Sequence, residues 1–259
     1  MSQTENMFND GKAYERLMGR WSQVVGRQFL DWLGQPDGLR WVDVGCGNGA
    51  FTEVLIERCA PASVTAIDPS EGQLAYARNR RGAKMAEFRV GDAQALSFPD
   101  GSFDAGVMAL VITFVPDPAK AVAEMARVVR PGGIVATYMW DPNGVPVQPM
   151  RDALTALGAP PTTSLGHGRL DALQKFWRVV GLQSVESRVI RIRVTFSDFD
   201  DFWASNAVPI GPQGQALKQL SAVARGQLRE RLREQLPPGP DGRITYEAFA
   251  NAVKGRVPG

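Results

Sequence analysis

The chemistry of this chain is suggested first by three alternating glycines over residues 45–49, which follow the acidic residue Asp43. A second apolar run, 64–67, ends in another acid, Asp68. The amphipathic segment between them predicts a strand, a tight glycine turn, a helix and a second strand. A helix N-terminus offers unpaired N–H groups with partial positive charge, and glycines let a ligand approach the backbone. The pattern therefore predicts a turn that binds a nucleoside.

The acids indicate which nucleoside. Residues 45–50 also fit the G-x-G-x-x-G/A pattern of dinucleotide sites, so the glycines alone leave two cofactors open. Asp43 would repel a pyrophosphate but could attract a cation, directly or through water. Asp68 can accept hydrogen bonds from a ribose diol, and Asp92, after the third predicted strand, can accept one from the adenine amine. A positive end, a ribose and an adenine together describe S-adenosylmethionine, whereas NAD brings two phosphates.

The elements that must position these residues alternate as in βαβ units around a parallel sheet. Strands are predicted at about 40–44, 63–67, 88–90, 104–110, 134–139, 185–196 and 244–253. Helices are predicted at about 50–59, 71–80, 118–129 and 171–180. Residues 1–33 read as an amphipathic helical region, and the second half of 198–236 has helical spacing. Residues 141–168, rich in proline and glycine, are predicted to form a loop.

Composition and charge exclude several classes of protein. The 259 residues are 44% hydrophobic and 22% charged, with a net charge of +2, which gives no electrostatic footprint for nucleic acid. No apolar run approaches the roughly 18 residues of a membrane helix, and the polar N-terminus lacks a signal-peptide core. We therefore expect a cytoplasmic protein without a membrane partner. Cys46 and Cys59 form no CxxC pair, so free buried thiols are expected and no metal site.

Five segments resemble, in order, the motifs of class I S-adenosylmethionine-dependent methyltransferases, and the last two are typical of the methyltransferase type 11 branch. They are Val42-Asp43-Val44-Gly45-Cys46-Gly47-Asn48-Gly49, Ala66-Ile67-Asp68-Pro69-Ser70, Gly91-Asp92-Ala93, Phe98-Pro99-Asp100-Gly101-Ser102-Phe103-Asp104 and Arg127-Val128-Val129-Arg130-Pro131-Gly132-Gly133. The resemblance covers about residues 38–140. It implies an α/β fold: a Rossmann-like, doubly wound sheet of seven strands, mostly parallel, with the last strand antiparallel.

The resemblance also implies how the cofactor is held. The residues divide by the part of it that each would contact: the methionine part by Gly45, Gly47 and Gly49, the ribose by Asp68, and the adenine by Asp92, Ala93, Pro69 and Ser70. Ala109 and Leu110 would lie near the sulfonium. The family often has histidine after strand four, whereas residues 111–115 here read Val-Ile-Thr-Phe-Val, which puts a histidine-based role there in doubt.

The segment 14–22 also resembles members of this branch. Tyr14 and Arg20 could reach over the cofactor, and Arg20 could pair with its carboxylate through a bidentate contact. The alternative is that Arg20 is an ordinary surface residue and Trp21 belongs to the core. Residues 1–33 are expected to form a helical cap, 38–140 the cofactor-binding core and 198–236 a helical lid, all within a single methyltransferase domain, 1–259.

The sequence names no catalytic residue, since the cofactor supplies the reactivity and a base is needed only if the acceptor arrives protonated. His167, the one histidine, could be a base, but a solvated loop residue is the simpler interpretation. Tyr138, Trp140 and Asp141 would end strand five, where open α/β sheets bind ligands. The aromatic residues of 199–203 either line the lid, as Phe199, Phe202 and Trp203, or pack its helices.

The sequence thus predicts S-adenosylmethionine-dependent methyl transfer to a small-molecule acceptor by in-line displacement, with S-adenosylhomocysteine as the product. One alternative is a protein that binds S-adenosylmethionine without methyl transfer. A second is an NAD-dependent oxidoreductase. Methylation of nucleic-acid amino groups is disfavoured, because no Asn/Asp-Pro-Pro-aromatic motif follows strand four. The arginines between 225 and 233, with acids among them, are expected to form a solvated helix face.

Overall fold

The structure is a computed structural model of the chain that describes residues 18–160, 163–209 and 211–259. Side chains are described in these ranges except at 163–165 and 211–212. Backbone contacts divide the chain into two compact units. The larger unit comprises residues 22–142, 164–190 and 250–259, and the smaller unit comprises the remaining described residues.

Seven strands and nine α-helices make up the described residues. The strands are β1 Arg40–Val44, β2 Ser63–Asp68, β3 Ala86–Val90, β4 Phe103–Ala109, β5 Val129–Trp140, β6 Gln183–Phe196 and β7 Ile244–Arg256. The helices are α1 Arg20–Leu33, α2 Ala50–Cys59, α3 Glu71–Ala77, α4 Pro118–Val128, α5 Gln148–Ala156, α6 Leu170–Val179, α7 Phe199–Asn206, α8 Gly211–Gln219 and α9 Ala222–Gln235. Short 3₁₀ turns lie at Arg81–Ala83, Ile112–Phe114 and Thr163–Gly168.

The strands form one sheet in the order β3-β2-β1-β4-β5-β7-β6. Strands β1 to β5 pair in parallel, whereas β7 runs antiparallel to β5, with Ile134 opposite Arg256 and Trp140 opposite Ala250. The predicted seven-stranded, doubly wound α/β fold with an antiparallel last strand is confirmed. The order reverses between β1 and β4, so the loops after these two strands open at the same place, which is where such sheets bind ligands.

Local sequence explains where the central elements begin and end. Strands β1 and β4 are apolar on both faces, as expected of parallel strands covered by helices on each side, and Trp41 and Met108 are fully buried. Helix α4 begins at a proline whose fixed φ suits the first turn, and the Asp117 side chain accepts a hydrogen bond from the Lys120 N–H. Apolar runs thus place β1 and β4 inside the sheet, and the Asp117-Pro118 pair sets where α4 begins.

The smaller unit has its own aromatic cluster. The Phe196 ring lies edge-on to Phe202 at 5.3 Å and is tilted towards Tyr246 at 6.1 Å. The arginines of α9 form the solvated face that was predicted, since Arg225, Arg231 and Arg233 are exposed and Arg229 is half-buried. The guanidinium groups of Arg229 and Arg233 both lie over the Phe199 ring, at 6.0 and 4.8 Å. Aromatic rings attract cations, so the faces of these arginine side chains are used in packing.

The loop predicted for residues 141–168 is wrong in its first half, because Gln148–Ala156 forms helix α5. Its Met150, Ala153 and Leu154 are buried, which is the spacing of one helix face. Pro149 lies in the first turn, where a proline is compatible with a helix. Proline content therefore masked a short amphipathic pattern.

Asp104 at the start of β4 links two neighbouring strands. Its carboxylate accepts hydrogen bonds from the Arg40 backbone and guanidinium at 2.9 to 3.2 Å, and from Arg130 Nε at 2.7 Å. The hydrogen bonds from Arg40 hold the pKa of Asp104 well below its usual value. Because this pKa is lowered by folding, the stabilisation is present above pH 4 and is lost as the pH falls below it.

Replacing Asp104 with asparagine is expected to lower the free energy of unfolding by about 1 kcal/mol at pH 7, since both arginines are half exposed and solvent screens the pairs. Urea unfolding at pH 7 and pH 3 measures the effect. The difference between wild type and variant should shrink at pH 3. A difference that grows with acidity would contradict this assignment.

Candidate functional site

The glycine turn between β1 and α2 has φ angles that residues with a Cβ rarely adopt. Gly45, Gly47 and Gly49 have φ values of +76°, +52° and +77°. This left-handed region disfavours residues with a Cβ by roughly 1–2 kcal/mol. The turn therefore needs glycine for its conformation, as the sequence predicted.

The three glycines differ in what surrounds them. A Cβ on Gly45 would lie 2.5 Å from both Val111 γ-carbons, and one on Gly49 would lie 2.9 Å from the Ala77 Cβ. A Cβ on Gly47 would meet nothing within 4 Å. Gly45 and Gly49 thus allow close packing within the protein, whereas Gly47 leaves its backbone open to a ligand.

The carboxylate of Asp68, at the end of β2, is hydrogen-bonded to the glycine turn. Its Oδ2 accepts a hydrogen bond from the Gly47 N–H at 2.8 Å, and its Oδ1 accepts one from the Ser70 N–H at 2.9 Å. Burial raises the pKa of Asp68, and the two N–H groups act in the opposite direction. Each carboxylate oxygen has a second lone pair, so Asp68 can still accept hydrogen bonds from a diol. Ser70 also caps α3, since its hydroxyl accepts from the Gln73 N–H.

Asp43, in β1 two residues before the turn, is fully buried. Its Oδ2 accepts a hydrogen bond from the Thr52 hydroxyl at 2.7 Å, and its Oδ1 has no hydrogen-bond partner among the described residues. The pKa of Asp43 is raised to about 7, chiefly by burial and in smaller part by the charge of Asp68, with the Thr52 hydrogen bond acting in the opposite direction. This buried carboxyl has an oxygen still able to accept a hydrogen bond.

The end of β3 lies next to Asp68, because the Gly91 N–H donates to the Asp68 carbonyl oxygen at 3.2 Å. The following Asp92 is exposed, and its carboxylate accepts a hydrogen bond from the Gln94 N–H at 2.9 Å. Ala93 is half-buried. The structure thus brings the ends of β1, β2 and β3 together, with an acid at each.

The chain after β4 has an unusual backbone. Leu110 has a φ of +62°, and its N–H donates to the Tyr138 carbonyl oxygen at 2.9 Å, which continues the pairing of β4 with β5. A leucine in this region is strained, and such strain is concentrated at functional sites. The strained residue directs the next one, Val111, onto Gly45.

The strain at Leu110 predicts an unusual order of stability for two truncated variants. Leu110→Gly should be more stable than Leu110→Ala by about 1 kcal/mol, because glycine adopts a positive φ without the steric penalty that alanine meets. Both variants lose the leucine side chain, so the comparison isolates the backbone. Urea unfolding of the pair tests this, and an alanine variant as stable as the glycine variant would show that Leu110 is unstrained.

Comparison with known proteins agrees with this geometry. The family model described as a methyltransferase domain, type 11, matches residues 42–137, which include the glycine turn, β2, β3 and the end of β4. Residues 42–137 of this chain therefore match the methyltransferase domain family. The resemblance recognised in the sequence is therefore confirmed.

Relatives of the methyltransferase domain match it over part of their length. A demethylmenaquinone methyltransferase of Renibacterium salmoninarum is 40% identical over 121 residues, which are 46% of this chain and 48% of that protein. A chloroplastic 2-methyl-6-phytyl-1,4-hydroquinone methyltransferase of Oryza sativa is 42% identical over 96 residues, or 37% and 28% of the two chains. The chain thus spans about half the length, or less, of these two relatives.

A solved structure matches the whole fold. Phosphoethanolamine N-methyltransferase 2 of Haemonchus contortus, in complex with S-adenosyl-L-methionine, superposes with a TM-score of 0.62 at 18% identity. The match covers 100% of this chain and 61% of that one. At this identity the likeness supports the fold.

Tyr14 and Arg20 are the two residues predicted to reach over the cofactor. Tyr14 lies outside the described residues. Arg20 belongs to the smaller unit, where its guanidinium carbon is 4.3 Å from the Trp21 ring centre and 4.5 Å from that of Phe196. Its Nε and Nη2 have no hydrogen-bond partner among the described residues. These nitrogens are able to bind an anion, but contact with the cofactor stays a prediction.

Tyr138 and Asp141, predicted near the end of β5, make contacts within the protein core and between strands. Tyr138 is fully buried against Phe29 and Phe51, at 4.8 and 5.7 Å between ring centres, so its expected position at the ligand site is wrong. Alternation along the strand points this side chain into the layer formed with α1 and α2. Asp141 accepts a hydrogen bond from the buried Asn251 at 2.7 Å, which ties β7 to the end of β5.

The remaining candidates also have ordinary positions. His167 is exposed, with its ring edge-on to Phe176 at 5.6 Å, as expected of a solvated residue. Trp140 is buried, and its indole N–H has no partner among the described residues. Phe202 is fully buried in the smaller unit, which agrees with helix packing. Cys46 and Cys59 are buried, free thiols.

The sequence analysis did not single out two residues that contact the glycine turn or its acids. Thr52 donates a hydrogen bond to Asp43, and Val111 packs on Gly45. Thr52 is a fully buried polar residue on the face of α2 that also carries Leu55 and Cys59. The helical spacing of this threonine with apolar residues could have predicted that it is buried. Val111 gave no signal, because its contact with Gly45 depends on the positive φ of Leu110.

The described residues contain neither a cluster of metal-binding side chains nor a helix that could span a membrane. No group of three or more histidine, cysteine, aspartate or glutamate side chains in residues 18–160, 163–209 and 211–259 could hold a metal ion. Within the same ranges, no helix has the length and apolar character that crossing a membrane requires.

Proposed function

We propose that the chain transfers a methyl group from S-adenosylmethionine to a small-molecule acceptor by in-line displacement. One observation carries the proposal: the backbone of Gly47 is open where a Cβ would lie, while its N–H donates to the Asp68 carboxylate and the buried Asp43 ends the strand before the turn. Open backbone beside a buried carboxylate suits a neutral ribose and a cationic group. It does not suit a pyrophosphate, which is the argument against NAD.

The cofactor fits the residues present. Asp68 would accept from the ribose hydroxyls through its remaining lone pairs, while Asp43 would attract the cationic amino group, directly or through water. Gly45, Gly47 and Gly49 would approach the methionine part. The buried Asp43 Oδ1, which has no hydrogen-bond partner among the described residues, supports this assignment, because an unpaired buried carboxylate oxygen is unfavourable until a donor arrives.

The rest of the cofactor would extend along the ends of β3 and β4. Asp92 would accept from the adenine amine and the Ala93 N–H would contact the ring, with Pro69 and Ser70 on its flank. Ala109 and Leu110 would lie near the sulfonium. The exposed carboxylate of Asp92 and the strained backbone at Leu110 support these assignments.

The chain's contribution to the reaction is alignment and exclusion of water. S-adenosylmethionine, when bound, supplies a methyl group on a positively charged sulfur, which needs no further activation. The apolar segment after β4, in which Ile112 is fully buried, would help to exclude water from the reacting atoms. Holding two reactants in line is worth roughly 7–11 kcal/mol of the barrier. The acceptor's proton, where it has one, leaves to solvent.

The class of acceptor is supported by the relatives. The names of both curated relatives denote quinone-type small molecules as substrates. The near-neutral net charge of +2 also favours a small molecule over nucleic acid. The roles of residues 1–33 as a cap and 198–236 as a lid stay predictions.

Methyl transfer is tested by incubating the protein with methyl-labelled S-adenosylmethionine and a panel of quinols, phenols, thiols and carboxylic acids. We expect S-adenosylhomocysteine to form only when a suitable acceptor is present, and the label to appear in that acceptor by mass spectrometry. Tight binding of S-adenosylhomocysteine with no labelled product across the panel would favour a binding protein without methyl transfer.

A further inference from the structure

An arginine that follows helix α3 is hydrogen-bonded to the glycine turn. Arg80 Nε donates to the Asn48 carbonyl oxygen at 2.7 Å, and Asn48 lies between Gly47 and Gly49. Arg80 Nη1 donates to Glu53 Oε2 at 3.0 Å, and the Arg80 side chain is only 13% exposed. Because Glu53 belongs to the first turn of α2, one guanidinium joins the glycine turn to the helix that follows it.

The second oxygen of the Glu53 carboxylate is also bound by the protein. Glu53 Oε1 accepts a hydrogen bond from the Gly82 N–H at 3.0 Å, in the 3₁₀ turn Arg81–Ala83. A Cβ on Gly82 would overlap this oxygen, so glycine allows the chain to approach the carboxylate. A carboxylate that is held at both oxygens gives Arg80 a fixed partner, and charge-assisted hydrogen bonds of this kind are strong.

The residue types of the glycine turn do not restrict it to one conformation. Gly47 and Gly49 both have positive φ, and glycine populates the opposite sign about as readily. Within the turn, the Gly49 N–H donates to the Cys46 carbonyl oxygen at 2.9 Å. The hydrogen bond from Arg80 restrains the Asn48–Gly49 peptide from outside the turn. Without it, this peptide would rotate more freely.

We propose that Arg80 is a positioning residue for the cofactor: together with Glu53, it holds the Asn48–Gly49 peptide and keeps the glycine turn in the conformation that leaves the Gly47 backbone open. The inference rests on the proposed function. A site whose binding-competent conformation is only partly populated binds its ligand more weakly by that fraction. Arg80 therefore acts on the affinity for the cofactor through the turn.

A merely structural role for Arg80 predicts something different. If the guanidinium only joins α2 to the chain after α3, its loss should destabilise the fold as a whole, and the amides of β1 should exchange with solvent faster together with those of the turn. The proposed role is local to residues 47–49. Arg78 provides the matched control for charge, because its guanidinium donates to Glu71 and to the Phe88 carbonyl oxygen instead.

The first measurement is amide hydrogen exchange of the wild type, Arg80→Gln and Arg78→Gln. Without ligand, the amides of Gly47 and Gly49 should exchange about tenfold faster in Arg80→Gln, because a hydrogen bond from a charged group is lost, while β1 keeps its wild-type rates. Saturating S-adenosylhomocysteine should remove most of the difference, and Arg78→Gln should match the wild type. Equal acceleration in the turn and in β1, or no acceleration, overturns the proposal.

The second measurement is isothermal titration with three ligands. Arg80→Gln should bind S-adenosylhomocysteine about tenfold more weakly, because the exchange rates and the affinity report the same opening of the turn. S-adenosylmethionine carries an additional positive charge and should lose the same factor, which excludes a simple charge effect. 5′-Methylthioadenosine lacks the amino-acid end and should lose less than about twofold. Equal loss for all three ligands contradicts the proposed role.

Two further variants test the guanidinium and its partner. Glu53→Gln should weaken S-adenosylhomocysteine binding, and the double variant with Arg80→Gln should bind no more weakly than Arg80→Gln alone, since the two side chains act as a unit. Arg80→Lys keeps the charge but lacks the planar fork that contacts both partners, so its affinity should stay at least about threefold below that of the wild type.

The outcomes separate this inference from the function on which it rests. Wild-type affinity and exchange in Arg80→Gln overturn the role of Arg80 and leave the proposed function standing. If Arg80→Gln does not fold, Arg80→Lys and Glu53→Gln decide the question, and wild-type behaviour of both overturns the role. Failure of the wild type to bind S-adenosylmethionine and S-adenosylhomocysteine would instead overturn the proposed function itself.

Discussion

Replacing Gly47 with alanine is expected to remove most of the affinity for S-adenosylhomocysteine while the protein stays folded. The new Cβ meets no protein atom within 4 Å, so the variant loses only the roughly 1 kcal/mol of its left-handed backbone. The methyl group projects into the space that we assign to the cofactor. Urea unfolding and isothermal titration measure the two effects, and we expect an affinity at least about a hundredfold weaker, or 2.7 kcal/mol.

Gly45→Ala is the matched control for Gly47→Ala, because its φ is also positive but its surroundings are closed. Its Cβ would lie 2.5 Å from both Val111 γ-carbons, so we expect the fold to lose about 3 kcal/mol or more from overpacking and strain. Removing those carbons with Val111→Ala should restore part of the loss. Wild-type ligand affinity in Gly47→Ala would show that the open space is not the cofactor site.

Replacing Asp68 with alanine is expected to weaken S-adenosylhomocysteine binding about a hundredfold, since two hydrogen bonds to a charged group are worth roughly 3 kcal/mol together. The variant also leaves the Gly47 and Ser70 N–H groups without the acceptor they have in the wild type. Isothermal titration at pH 7.5 measures the loss.

Asp92→Ala serves as the comparison for Asp68→Ala. The Asp92 carboxylate is exposed and competes with water, so its removal should weaken binding only several-fold. If the two variants lose equal affinity, or if Asp68→Ala binds as the wild type does, the assignment of the ribose to Asp68 fails.

The glycine turn and its acids could be predicted from sequence because each depends on local chemistry. Alternating glycines at 45, 47 and 49 predict a turn with positive φ, which the structure has. The apolar runs that precede Asp43 and Asp68 predict strands that end near these acids. Parallel pairing then brings Asp43 and Asp68 to the same edge of the sheet. No long-range information was required.

The features that sequence reasoning missed depend on contacts distant in the chain. Val111 lies over Gly45 only because Leu110 adopts a positive φ that nothing in its residue type favours. Tyr138 was expected at the ligand site because of its place at the end of β5, but strand alternation directs it towards Phe29. Which face of a strand meets which helix is decided by the packing of the whole layer.

The smaller unit was the least predictable part. Its residues come from separate segments of the chain, and its core joins Phe196 of β6, Phe202 of α7 and Tyr246 of β7. Helical spacing marked α9, but the use of Arg229 and Arg233 in packing against Phe199 requires α7 as a partner. Amphipathic patterns show that a face is buried without showing what covers it.

The central claim is that the turn at residues 45–49 binds S-adenosylmethionine, and a crystal structure with S-adenosylhomocysteine tests it most directly. We predict ribose hydroxyls within hydrogen-bond distance of the Asp68 carboxylate, with the amino-acid end against the open backbone of Gly47. Ligand bound elsewhere on the chain, or a ribose that does not contact Asp68, would contradict it.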